Sequence, residues 1–181
     1  MQNKTKLIQL LSFISATMGI ICIACFFFPF LAISSKEANT GFYTGFEVAF
    51  GYSDNIVKMG MNIILVVSCI ILFFAAILSL MKYNNKLANI VSAIMFFIPS
   101  LAIFLLPVYA KSMGNMIIGS TYGAGLAWGS IVCGLVALIC VVLNIAILIL
   151  NKKLDAEVTF ETSSEEQPAF AETVAEENKE N

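Results

Sequence analysis

Cys22 and Cys25, spaced as Cys-x-x-Cys, have the residue type and separation that dithiol–disulfide chemistry uses. A working pair of that kind needs a thiol pKa lowered by a helix N-terminus or a nearby cation, and access to a partner. Here the surrounding run, Gly19 to Phe30, is apolar and carries no cation. Cys69, Cys133 and Cys140 also fall inside apolar stretches, so no loop-borne disulfide framework is expected and each thiol reads as a small hydrophobe. All ten basic residues are Lys; there is no Arg and no His. The commonest general base and metal ligand is therefore missing, as is the bidentate anion clamp.

Other chemistries are excluded in the same way. Intramembrane proteolysis needs paired Asp or a Ser–His couple, and ion-coupled transport usually places a charged side chain within the bilayer. The apolar stretches hold neither, and no G-x-x-x-x-G-K-[ST] run is present to cradle phosphate. No cofactor and no metal are expected. The polar side chains left in the apolar stretches are Gln9, Asn62, Asn89, Asn144 and hydroxyls such as Ser68, Ser92 and Ser100. Interhelix hydrogen bonding is the first reading of these amides, with Gln9, Asn89 and Asn144 close enough in depth to cluster. A path for neutral or apolar solutes lined by Asn62, Asn89 and Asn144 is the alternative.

The elements that position these groups follow from composition. Of 181 residues 59% are hydrophobic and only 12% charged, with a mean hydropathy of +0.89. Soluble domains carry about 25% charged residues, so a soluble enzyme, a nucleic-acid binder and a disordered regulator are all excluded. A spanning helix needs about 20 apolar residues. Leu7–Ile33, Met59–Met81, Leu87–Pro107 and Ala124–Leu150 meet that requirement without an ionisable side chain other than Cys. The sequence predicts an all-α integral membrane protein, a four-transmembrane-helix bundle in contact with the lipid bilayer. The first span is too long for a signal-peptide core and is read as retained. Pro99 predicts a kink in the third span, and the short 82–86 turn an antiparallel hairpin.

Six Lys (Lys4, Lys6, Lys82, Lys86, Lys152, Lys153) flank one set of span ends and three (Lys36, Lys58, Lys111) the other. That bias places both termini in the cytoplasm and the loops 34–58 and 108–123 outside a cell membrane. The all-Lys usage, with abundant Asn and Ile, suits an AT-rich bacterial genome. Residues 154–181 carry nine acidic groups against Lys179, a balance of −8, whereas residues 1–153 balance at +6; together these make the net −2. The acidic C-terminal tail is expected to be disordered, with docking to a basic cytoplasmic partner as its functional alternative.

Within the spans, close packing of small residues must hold the helices together. Gly125, Gly129, Cys133, Ala137, Cys140 and Asn144 recur at helical spacing in the fourth span, and Ser12, Ser15, Gly19 and Cys22 in the first. These two faces are expected to look into the bundle and at each other. A homodimer surface on Gly125-x-x-x-Gly129 is the competing reading, so the oligomeric state stays open.

The segment Thr40–Tyr52 alternates with period two: Phe42, Thr44, Phe46, Val48, Phe50 and Tyr52 on one face, Tyr43, Gly45, Glu47, Ala49 and Gly51 on the other. This predicts a β-like first outer loop, a half-buried strand or hairpin paired with the second outer loop. Its aromatics, Phe42, Tyr43, Phe46, Phe50 and Tyr52, form either a lid on the bundle, a face in the outer headgroups, or a contact surface for a membrane or extracellular protein.

The topology of four spans, a larger first outer loop and inner termini resembles that of claudin-like tetraspan proteins, although the loop lacks the Trp and Cys residues of the claudin signature. Cys22-x-x-Cys25 on a four-helix membrane bundle resembles quinone-linked thiol oxidoreductases, which would imply a redox role for Cys22 and Cys25. Those families also use a second, loop-borne Cys pair, and this chain has none. The expectation is a non-enzymatic tetraspan plasma-membrane protein acting through protein–protein interaction, in an accessory or immunity-type role. The alternatives are a small transporter or channel for neutral or apolar solutes and, after it, the thiol oxidoreductase.

Overall fold

The structure, a computed structural model, describes residues 2–35, 41–53, 58–81, 85–108 and 122–165. Four helices dominate it: α1 (Gln2–Ala24), α3 (Ile63–Met81), α4 (Lys86–Phe104) and α5 (Trp128–Glu165). Four helical segments are long and apolar enough to cross a membrane: Lys4–Phe27, which includes the turn after α1, Ile63–Leu80, Lys86–Phe104 and Trp128–Lys153. They close into a ring in which α1 packs on α3 and α5, and α4 packs on the same two. Successive helices alternate in direction, so Lys4, Lys6, Lys86, Lys152 and Lys153 share one end of the bundle.

At the opposite end three of the apolar runs give way to strand, and three span boundaries change as a result. The first apolar run does not stay helical to Ile33. It leaves α1 at Ala24, makes a 3-10 turn over Cys25–Phe27 and continues as strand β1 (Pro29–Ser35). Pro29 is the cause, because its ring forces the residue before it out of the helical region. Phe28 accordingly sits at φ −98°, ψ 166°, with its N–H donating to Cys25 O at 3.0 Å. The second span begins at Ile63 rather than Met59, after the short strand β4 (Lys58–Met59). The fourth begins at Trp128, after strand β5 (Tyr122–Leu126).

A strand with unpaired backbone is not tolerated beside hydrocarbon. β1 is therefore the centre of a three-stranded antiparallel sheet, ordered β2-β1-β5, where β2 is Gly41–Thr44. Ala32 stands opposite both Phe42 and Gly125, and Leu31 opposite both Tyr43 and Leu126. Leu31 and Ile33 are buried, so β1 faces the bundle through them. A second pair, β3 (Tyr52–Ser53) with β4, follows the short helix α2 (Gly45–Phe50).

The bundle interior is lined by small and hydroxylic residues, as lipid-embedded packing requires. Ser12, Ser15, Ala16, Gly19 and Cys22 of α1 are buried, as are Gly129, Cys133, Ala137, Cys140 and Asn144 of α5. A serine chain ties three helices: Ser12 Oγ donates to Ser79 O at 2.9 Å, and Ser79 Oγ lies 2.8 Å from Ser92 Oγ. Ser100 Oγ, next to Pro99 inside α4, donates to Gly134 O at 3.0 Å and joins α4 to α5. Phe96 crosses the bundle centre, and a Cβ on Gly19 would meet its ring at 3.1 Å and Ala76 Cβ at 2.8 Å.

Past Lys153, α5 runs on to Glu165. The first part of the acidic segment, expected to be unstructured, is thus a continuation of the fourth helix. The rest of the tail, from 166, lies outside the described residues, as do the 82–84 turn and the 109–121 part of the second outer loop.

Candidate functional site: an aromatic cap over a thiol-lined seam

The segment 40–52 is not one strand. β2 ends at Thr44 and the chain turns into α2, so Phe46, Val48 and Phe50 stand on a helix and not on the face that carries Phe42. The reason is a capping box that the period-two pattern hides. Thr44-Gly-Phe-Glu47 is the Thr-x-x-Glu signature of a helix start. Glu47 N–H donates to Thr44 Oγ1 at 3.3 Å, while Glu47 Oε2 accepts from Thr44 N–H at 2.7 Å and from Thr44 Oγ1 at 2.9 Å. Glu47→Ala removes half of the box and should cost about 1 kcal/mol, read as a small, clean drop in the unfolding midpoint of the detergent-solubilised protein. Gly51 ends α2 at φ +94°, a conformation that L side chains rarely adopt.

Two glycines seat the cap on the spans. A Cβ on Gly45 would stand 2.8 Å from Phe26 Cα, and one on Gly129 2.5 Å from Pro29 O. The elbow from Phe26 to Pro29 is thus gripped by α2 on one side and the start of α5 on the other. Gly45 N–H also donates to Phe28 O at 3.2 Å, and Ala127 N–H to Phe30 O at 3.1 Å. Gly129 is therefore a contact between α5 and the elbow. Gly125 lies on β5, where a Cβ would meet nothing within 4 Å. The expected helical Gly125-x-x-x-Gly129 face does not form, because Gly125 lies in the strand Tyr122–Leu126 and the helix begins only at Trp128.

Aromatic rings fill the elbow. Phe26 packs on Phe30 at 4.7 Å with its ring tilted by 39° and reaches Phe46 at 5.9 Å; Phe46 in turn meets Phe27 at 4.7 Å and lies parallel to Phe50 at 6.2 Å. Tyr43 and Tyr52 pair at 5.6 Å, and Phe28 with Trp128 at 4.9 Å. Tyr43, Phe46 and Tyr52 are half-buried in this cluster. Phe42 and Phe50 are different: they are 62% and 61% exposed.

Below the cap, α1 and α5 face each other along a seam of sulfur and amide groups. Asn144 Nδ2 donates to Ser15 Oγ at 2.9 Å and to Cys140 O at 2.8 Å, and Cys140 Sγ donates to Ser15 O at 3.5 Å. The amides do not share one role. Asn62 caps the N-terminus of α3, accepting from Leu65 N–H at 3.2 Å, and Gln9 is on an exposed face of α1. A groove of about 280 Å³ between α1 and α3 is lined only by Ile20, Ile23, Phe73, Ala76, Ile77 and Leu80, with no amide among them. Among the described residues no three His, Cys, Asp or Glu side chains are grouped to hold a metal ion.

The fold and site define a class: a bundle of four helices long and apolar enough to cross a membrane, bearing a small aromatic β-cap at one end. Neither a family model, a curated protein nor a solved structure matches the chain.

Proposed function

We propose that this chain is a non-enzymatic tetraspan protein of the cell membrane that works by protein–protein contact, in an accessory or immunity-type role. Both ends lie in the cytoplasm beside the lysine-flanked span ends, and the cap faces outward. The observation that carries this reading is the exposure of Phe42 and Phe50 on a backbone that the capping box and the two glycine contacts hold in place. Large apolar rings held rigidly outward lose little freedom on binding, which makes them good anchors for a partner. The partner is a membrane or extracellular protein that meets the 34–58 segment. The acidic tail offers a second contact to a basic cytoplasmic protein.

The double variant Phe42→Ser, Phe50→Ser tests this reading. After crosslinking in native membranes, the wild-type chain is expected to purify with a partner and the variant alone, both with the same unfolding midpoint. A wild-type chain that elutes alone, or a variant that keeps the partner, contradicts it.

A further inference from the structure

The apolar groove between α1 and α3 plays no part in the cap. Ile20 and Ile23 of α1 and Phe73, Ile77 and Leu80 of α3 form its walls, over the buried Ala76. Ile20, Phe73 and Leu80 are each at least half exposed, so the groove opens sideways, away from the bundle interior. Helices that pair in lipid need small residues at the contact, so that their backbones can approach. Only Ala76 is small here, and the groove suits a thin flexible chain better than a second helix.

The groups above the groove identify the chain. Along α1, Lys6, Gln9, Phe13, Ala16, Ile20 and Ile23 recur at steps of three and four, which sets them in one line on the helix. The line begins with a cation and an amide, both exposed, and ends in hydrocarbon. From Lys6 to Ile20 the helix rises about 21 Å, and half a bilayer with its headgroups measures about 20–22 Å. One lipid of one leaflet therefore spans the line from its phosphate to the end of its chain. The charge at this end is also one-sided. No Asp or Glu precedes Glu37, and α3 and α4 hold none, whereas Lys82 follows α3 directly in sequence and Lys86 opens α4.

We propose that the groove holds one acyl chain of an anionic glycerophospholipid from the leaflet at the lysine end, with its phosphate on Lys6. The apolar walls take up the chain, and the ammonium pairs with the phosphate. A zwitterionic lipid offers the same chain but no net charge, so it binds less tightly. The inference rests on the four helices lying in a bilayer and is independent of what the cap binds.

The test is native mass spectrometry of the full chain in detergent, titrated with dioleoyl phosphatidylglycerol and with dioleoyl phosphatidylcholine. Wild type is expected to bind the phosphatidylglycerol about fivefold more tightly, the effect of one lysine at a membrane surface. Lys6→Gln should remove that preference. Lys152→Gln, an equal loss of charge on α5, across the ring from α3, should keep it. Both substitutions alter only exposed side chains and leave the fold intact. Ile20→Trp, which fills the groove, should weaken the binding of both lipids, and Leu135→Trp, on the outer face of α5, of neither. Equal binding of the two lipids by wild type, equal losses in Lys6→Gln and Lys152→Gln, or unchanged binding in Ile20→Trp would overturn the proposal. A chain that stays dissolved without detergent would overturn the membrane-spanning reading itself, and this site with it.

Discussion

Phe26→Ala should destabilise the protein by about 4 kcal/mol, within the usual range for emptying a buried aromatic site. The ring is fully buried, packs on Phe30 at 4.7 Å and Phe46 at 5.9 Å, and its own backbone lies under Gly45. The site cannot collapse to refill the space, because the elbow is fixed by Gly45 above and by the Gly129–Pro29 approach below. For a chain of this size that cost corresponds to a fall in the unfolding midpoint on the order of 10 °C. Phe27→Ala is the control. Its ring is 70% exposed, so the loss should stay below about 1 kcal/mol. Thermal unfolding of both variants in one detergent checks the contrast; equal losses would mean that Phe26 is not the ring on which the cap is built.

Gly129→Val should be nearly as damaging, at about 3 kcal/mol, by the opposite mechanism. Even a single Cβ would stand 2.5 Å from Pro29 O, and a backbone oxygen cannot swing aside as a side chain does. The elbow has to move away from α5, which strains the β1–β5 pairing that follows it and separates Phe28 from Trp128, now 4.9 Å apart. Overpacking of this kind costs about 1–3 kcal/mol, and two extra methyl groups place valine at the upper end. Trp128 supplies the readout, since it is the one Trp in the chain. Its emission and its accessibility to a quencher should both change in Gly129→Val. Gly125→Ala, where a Cβ meets nothing within 4 Å, should leave both unchanged.

The sequence reading reached the four spans because uncharged runs of this length have few other uses in a chain. It also reached the small-residue faces of the first and fourth spans, because helical spacing alone places Ser15, Cys22, Cys133 and Asn144 inward. It missed where the spans stop. Phe30 to Ile33 and Ala124 to Leu126 are as apolar as the helices beside them, and hydropathy does not distinguish a buried strand from a helix. Pro29 was the available signal, and reading it as a helix stop would have shortened the first span to its true end. The cap was legible in part. Alternation suggested a strand up to Tyr52, while Thr44 and Glu47, three residues apart, already encoded the helix that interrupts it. The strand that β2 pairs with was not legible at all, because β1 was hidden inside an apparent span and the pairing joins residues distant in the chain.

The central claim is that Phe42 meets a protein and not only lipid. The most direct measurement places a photo-crosslinking phenylalanine analogue at position 42 in living cells, and at Leu135 as a reference. Leu135 is 51% exposed on the outer face of α5. Position 42 is expected to give one discrete protein adduct and Leu135 only lipid adducts. Lipid adducts alone from both positions would mean that the cap rests in the headgroups, and would contradict a role in binding.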